Sequence, residues 1–288
     1  MITRSTEILK PKLIEMWKLC FGDSDEFVQF YFDKIYCDDN TLVLFPDNNN
    51  SPAASLQILP YQIKIGEKTH NAGYISGAMT HPEHRKKGYM AQLLNAAFEI
   101  MTKQGFTFSF LIPQEEWLFD FYANYGYEKA FPMATETFNL TSVNVESGNV
   151  EVYSNFENLP LEQIYHLYSG FLIQKENVVL KMREQFHLIL EDLFIDEGYV
   201  FYLKGNSIAF VVEDDESNIV FIKEILYTTD NCKQLLLSVI GKFFQTNKVT
   251  IRNTQPGENS HLYGMIKVLD KSDAKIIPEN IYMNTVLN

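Results

Sequence analysis

His84-Arg85-Lys86-Lys87-Gly88-Tyr89-Met90-Ala91-Gln92-Leu93-Leu94 is a basic turn set between two different patterns. Before it, Tyr74-Ile75-Ser76-Gly77-Ala78-Met79-Thr80 reads as an extended segment. After it, Leu93, Leu94, Ala97, Phe98 and Met101 recur at helical spacing. A turn that opens a helix points several N–H groups outward at the positive end of the helix dipole, and consecutive amides there form a nest for phosphate oxygens. Gly88 removes the Cβ that would hold a ligand away from that backbone. Arg85, Lys86 and Lys87 add positive charge to an otherwise acidic chain. The stretch therefore reads as a pocket for a pyrophosphate, the alternative being a solvated surface loop.

Working outward, Gly105-Phe106-Thr107-Phe108-Ser109-Phe110-Leu111-Ile112-Pro113 reads as a buried strand after a helix-ending glycine. Phe121-Tyr122-Ala123-Asn124-Tyr125-Gly126-Tyr127 comes next. The order is strand, turn, helix, strand, helix. Upstream, residues 6–19 and 24–36 read as helices, the second capped by Ser24 with Phe27, Phe30 and Tyr31 on one face. Strands are expected at 42–45, 56–59 and 61–65, with the polar tract 47–50 and Gly66-Glu67-Lys68 as turns.

Past residue 140 the pattern repeats. Residues 161–168 and 175–190 look helical, 199–203, 208–213 and 219–226 look like strands, and a helix at 230–244 with a strand at 249–252 completes the series. Residues 281–288 alternate enough for a closing strand. Two domains are expected, 1–140 and 141–288. Where the first has Arg85-Lys86-Lys87-Gly88, the second has Thr228-Thr229-Asp230-Asn231-Cys232, with no glycine and no cation, and Asp230 repels phosphate.

Arg85-x-x-Gly88-x-Met90 after Thr80-His81-Pro82 resembles the acetyl-coenzyme A signature of the GNAT superfamily of N-acetyltransferases, with Met90 where the family usually has Gly or Ala. Phe121-Tyr122-x-x-x-Gly126-Tyr127 resembles that family's second signature, in the right order and at the right distance. The two-unit plan is similar to tandem GNAT proteins related to the enhanced-intracellular-survival family, without room for their further sterol-carrier-like domain. The resemblance implies an α/β (α+β) fold of two GNAT-like domains, each a mixed central sheet flanked by helices. The first binds acetyl-CoA and is catalytic; the second is degenerate, lacks coenzyme binding and shapes the acceptor site. It implies that Arg85, Lys86, Lys87, Gly88, Tyr89 and Met90 hold the pyrophosphate, and that Ala78, Met79 and Thr80 meet the amides of pantetheine. Tyr122 would protonate the leaving thiolate, whereas Phe121, Tyr125 and Tyr127 read as aromatic core packing.

Composition bounds the rest. The chain has 288 residues, enough for two units that each bury a core. With 24 Lys and Arg against 37 Asp and Glu, its net charge of −13 argues against a nucleic-acid partner and suits a cationic acceptor. Cys20, Cys37 and Cys232 form no C-x-x-C pair and read as reduced thiols. There is no leader-like amino terminus, no apolar run of bilayer length and no metal-ligand spacing, so a cytoplasmic protein without membrane or metal is expected. Its oligomeric state is left open.

The reaction so implied is direct attack of a neutral primary amine, from a small molecule or peptide, on the acetyl thioester. A strand N–H near Met79 would stabilise the oxyanion, an effect worth about 3 kcal/mol per donor. An alkylammonium with a pKa of about 10.4 must first lose its proton. Glu115 and Glu116 are candidates for the base or for helix capping, His81 and His84 for titration or for turn packing, and the terminal carboxylate of Asn288 is a further option in the resembling family. The alternative function is a non-catalytic acyl-CoA-binding regulator or scaffold, which has no need of a proton donor at Tyr122. A larger acyl donor is a third reading if the wall at Gly77 and Ala78 leaves room.

Overall fold

The computed structural model describes residues 1–46, 51–140, 150–214, 219–254, 260–269 and 280–284. They form two compact units. The first comprises Met1–Ala130 with the stretch beginning at Tyr263, and the second Phe131–Leu262 with the stretch beginning at Asn280. The unit boundary thus falls earlier than residue 140, inside a strand, and the first unit takes back a late piece of chain. Each is a mixed sheet flanked by helices, as the α/β expectation requires.

In the first unit, β1 (Ile2–Arg4), β2 (Thr41–Leu44), β3 (Ala54–Ile65) and β4 (Lys68–Thr80) run antiparallel in sequence order. β5 (Phe108–Leu111) lies parallel to β4, and Met265–Val268 of β13 (His261–Val268) pairs antiparallel with β5. The expected strands 56–59 and 61–65 are one long β3: Pro60 stands opposite Gly73, beyond the point where the β2 ladder ends at Gln57. The expected first helix, 6–19, is α1 (Lys10–Cys20), entered through Pro11 and burying Leu13, Met16 and Trp17. α2 (Asp25–Phe30) opens on Ser24, whose hydroxyl accepts the Phe27 N–H at 3.1 Å. A wider turn, Tyr31–Ile35, prolongs it. α3 (Tyr89–Lys103) buries Leu93, Leu94, Ala97 and Met101 against Leu56, Ile58, Ile75 and Leu111. Each such leucine contributes about 1.5–3 kcal/mol. α4 (Glu116–Ala123) completes the unit.

Two irregularities of β4 open the sheet. Ser55 faces Met79 but Gln57 faces Ser76, so Gly77 and Ala78 share the place opposite Leu56, a bulge. Gly77 has φ 54°, and a Cβ there would lie 2.6 Å from Cζ3 of Trp17. Trp17 is fixed in turn, donating from Nε1 to Asp23 at 2.7 Å and packing on Tyr31, whose hydroxyl meets Ser76 at 2.7 Å. β4 leaves β5 just before the bulge: their parallel pairing covers only Ala72–Phe108, Gly73–Ser109 and Tyr74–Phe110.

The second unit repeats the plan. β6 (Glu128–Asn139), β7 (Val150–Tyr153), α5 (Leu161–Ile173), β8 (Asn177–Leu180) and α6 (Arg183–Ile195) precede β9 (Tyr199–Leu203), β10 (Ser207–Asp214), β11 (Ile219–Tyr227), α7 (Asp230–Phe243) and β12 (Lys248–Asn253). β7, β9, β10 and β11 are antiparallel neighbours, β12 is parallel to β11, and β6 pairs antiparallel with β12. The helix expected at 175–190 is corrected to β8 and α6. The β-branched pair Val178-Val179 bridges Tyr282, and the helix restarts after Met182, whose N–H donates to Gln185 Oε1 at 2.8 Å. Of the expected closing strand, the described part is that bridge; residues 285–288 lie outside the described residues, as does the turn at 47–50.

Gly77→Ala therefore combines a left-handed residue with a clash. It should lower unfolding free energy by about 2–4 kcal/mol in urea denaturation. Gly22→Ala, where a Cβ meets nothing within 4 Å, should change it by about 0.5 kcal/mol at most.

Candidate functional site

Where β4 and β5 part, a cavity of about 180 Å³ opens, lined by residues 74–78, residues 111–114, Trp17, Asp23 and Tyr122. Ala78 and Tyr122 are the expected site residues among these. Trp17 and Asp23 are additions that sequence reasoning misses, because helix residues before a Gly-Asp-Ser turn carry no signal beyond core aromatic and turn acid.

The backbone of β4 is oriented by its ladder. His81 donates its N–H to Ala53 at 2.9 Å, so by antiparallel alternation the N–H of buried Met79 also turns toward β3. The groups of Thr80 face the other way. The Thr80 carbonyl accepts from Arg85 Nε at 3.3 Å and from Cys20 Sγ at 3.4 Å. Ala78 lies in the bulge opposite Leu56 and lines the cavity, next to Met79.

After Thr80 the chain makes one short helical turn, Pro82–His84, and enters α3 through Lys86 at φ 62° and Gly88 at φ 76°. Left-handed backbone at Gly88, which is the helix cap, costs a glycine little, and a Cβ there would meet nothing within 4 Å. The space in front of the turn is open. The first helical bond runs from Gln92 N–H to the Gly88 carbonyl at 3.2 Å, so the amides just before it have no partner one turn back. Arg85, Lys86 and Lys87 are exposed around them. Tyr89 and Met90 are partly buried and pack on the α3 core. The bulk of Met90 is therefore accommodated by the core, and the departure from Gly or Ala leaves the turn clear. These residues fit a pyrophosphate.

Tyr122 is 6 % exposed, stands against Phe121 and Tyr127, and borders the cavity. Burial pushes its phenol up to about 12, so it holds its proton at neutral pH. Tyr127 is core, its hydroxyl 2.7 Å from Ser109. The candidate bases are engaged elsewhere: Glu115 accepts from Trp117 Nε1 at 2.8 Å, and Glu116 lies 3.9 Å from Lys129. His81 Nδ1 accepts the Glu83 N–H at 3.3 Å and His84 Nδ1 lies 3.3 Å from Lys87 Nζ, both within the turn. None of the four borders the cavity. Asn288 lies outside the described residues.

The family model for the acetyltransferase (GNAT) domain matches residues 2–130. Residues 2–130 form a GNAT acetyltransferase domain. No curated protein sequence matches the chain. Among solved structures, a GCN5-related N-acetyltransferase from Anabaena variabilis is 17 % identical with a TM-score of 0.73, covering 94 % of this chain and 73 % of its own. Eis1 from Mycobacterium abscessus is 10 % identical with a TM-score of 0.67, covering 94 % and 74 %. The N-myristoyltransferase of Saccharomyces cerevisiae, solved with bound myristoyl-CoA, is 9 % identical with a TM-score of 0.56, covering 93 % and 78 %. At these identities the shared property is the fold, here two GNAT-like units, the second without the basic glycine turn.

A buried neutral phenol stabilises the fold below the free tyrosine pKa of about 10, and that contribution is lost as pH rises through the folded value. Between pH 10 and 12 the parent should lose more unfolding free energy than Tyr122→Phe, by about 1–3 kcal/mol in urea denaturation at each pH. Equal losses would place the Tyr122 hydroxyl in contact with water.

Proposed function

We propose that the first unit is an acetyl-CoA-dependent N-acetyltransferase acting on a primary amine of a small molecule or peptide. The observation that carries the reading is the conjunction of an open, basic helix-opening turn with a strand opening bordered by a buried, neutral tyrosine. The GNAT family match supports acyl transfer, and the myristoyl-CoA held by the yeast neighbour supports an acyl-CoA donor.

The amides from Lys87 to Met90, with Arg85, Lys86 and Lys87 around them, hold the pyrophosphate. Ala78 and Thr80 offer β4 backbone groups to the pantetheine amides, and the buried Met79 backs them from the β3 side. When bound, the donor supplies an activated acetyl thioester. The Ala78 N–H receives charge developing on its oxygen, and Tyr122 holds a proton for the departing sulfur. Asp23, on the cavity wall, draws a cationic amine toward the opening. Trp17 and the bulge at Gly77 narrow the acyl end, which favours acetyl over longer chains. We place the reaction in the cytoplasm; no helix among the described residues is long and apolar enough to cross a membrane.

An amine panel assayed by release of coenzyme A thiol tests this. Turnover should appear with at least one primary amine and rise with pH as the ammonium deprotonates. Tyr122→Phe should lower kcat about 100-fold with little change in the KM for acetyl-CoA. Binding of acetyl-CoA without thiol release on any amine would favour a regulator, and an unaltered kcat in Tyr122→Phe would leave that residue as packing.

A further inference from the structure

The second unit opens its sheet where the first does. Parallel pairing of β11 with β12 also covers only three positions, Val220–Val249, Phe221–Thr250 and Ile222–Ile251, and a bulge comes at once: Phe210 faces Glu224 while Val211 faces Ile222, leaving Lys223 extra. A cavity of about 350 Å³ lies in the opening, roomier than that of the first unit. Its chemistry differs. Among the described residues, Lys175, Lys233 and Arg252 line it with one carboxylate, Glu136, and Asn253 and Asn284 beside them.

These cations are set by aromatic faces. Lys175 Nζ lies 3.9 Å from the Tyr282 ring centre, Lys233 Nζ 5.4 Å from Phe138 and 5.3 Å from Tyr227, and the Arg252 guanidinium 5.6 Å from Phe221. A ring face orients a cation without cancelling its charge. Below the cavity, Glu224 is 1 % exposed and accepts from Tyr282 at 2.5 Å and Tyr168 at 3.4 Å. Burial raises its pKa, opposed chiefly by Lys181, which burial pushes down to about 8. Lys175 acts on Glu224 in the same sense from the cavity side. Among the described residues, the four cations Lys175, Lys181, Lys233 and Arg252 exceed the two carboxylates Glu136 and Glu224 by two charges, inside a chain of net charge −13.

The turn that would hold a nucleotide is closed here. Thr229 caps α7 with its own hydroxyl, which accepts the Cys232 N–H at 3.3 Å, and Asp230 occupies the first helical position. A ligand of this opening therefore needs two negative charges and an apolar body to meet the rings, without a diphosphate arm. The planar Arg252 fork matches a carboxylate, and the volume suits a small metabolite.

We propose that the opening between β11 and β12 is a second ligand site, for a small dicarboxylate, separate from the acyl-CoA site. It does not rest on the acyl-transfer reading. The test titrates the full chain with succinate, phthalate and inorganic phosphate, following heat and melting temperature, with sodium chloride at matched ionic strength as control. Either dicarboxylate should saturate and raise the melting temperature. Lys175→Gln combined with Arg252→Gln should weaken binding at least tenfold, and Gly88→Trp should leave it unchanged. Should the double variant fail to fold by circular dichroism, Lys233→Gln alone should weaken binding in the same direction. A response reproduced by sodium chloride, retained in these variants, lost in Gly88→Trp, or given by phosphate alone would overturn the proposal, as would no response.

Discussion

The constraint on which this structure depends is the brevity of one parallel ladder. β4 and β5 share three paired positions and separate after Tyr74, and three residues further on Gly77 takes β4 through a left-handed bulge against which Trp17 packs. A continuous ladder would satisfy the backbone of both strands and leave no opening. Where they part, a cavity is left with Ala78 on its wall and Tyr122 at its edge. The strand then delivers the chain directly into the basic turn, so one element leads from the cavity to the helix-opening amides.

The second unit shows what belongs to the fold and what belongs to a ligand. The short parallel pairing and the bulge recur at β11 and β12, so the opening is a property of the architecture. The glycine turn does not recur. Thr229 satisfies its own helix opening and Asp230 makes it anionic, while the cations have moved into the cavity itself, over rings. Two openings of similar register thereby differ in charge through a few side chains.

Much of this was legible in the sequence. The basic turn with Leu93, Leu94, Ala97 and Met101 after it marked α3 and its cap, and Gly66 and Gly105 marked turns that the structure holds at positive φ. Ser24 caps its helix as its position suggests. What failed did so for physical reasons. Pro60 imitates a strand break because a proline costs a ladder only where its N–H is needed, and 175–190 reads as a helix because a four-residue strand is too short to declare a period. Trp17 and Asp23 meet the site through tertiary packing, and the return of the chain at Tyr263 is a long-range pairing that no local pattern announces.

Whether the basic turn holds the nucleotide is decided by calorimetric titration of the full chain with acetyl-CoA, with Gly88→Trp alongside. Saturable binding of one molecule per chain is expected, abolished in a variant whose circular dichroism is that of the parent. Two molecules per chain, or unaltered affinity in the variant, would contradict a single nucleotide site built on Gly88.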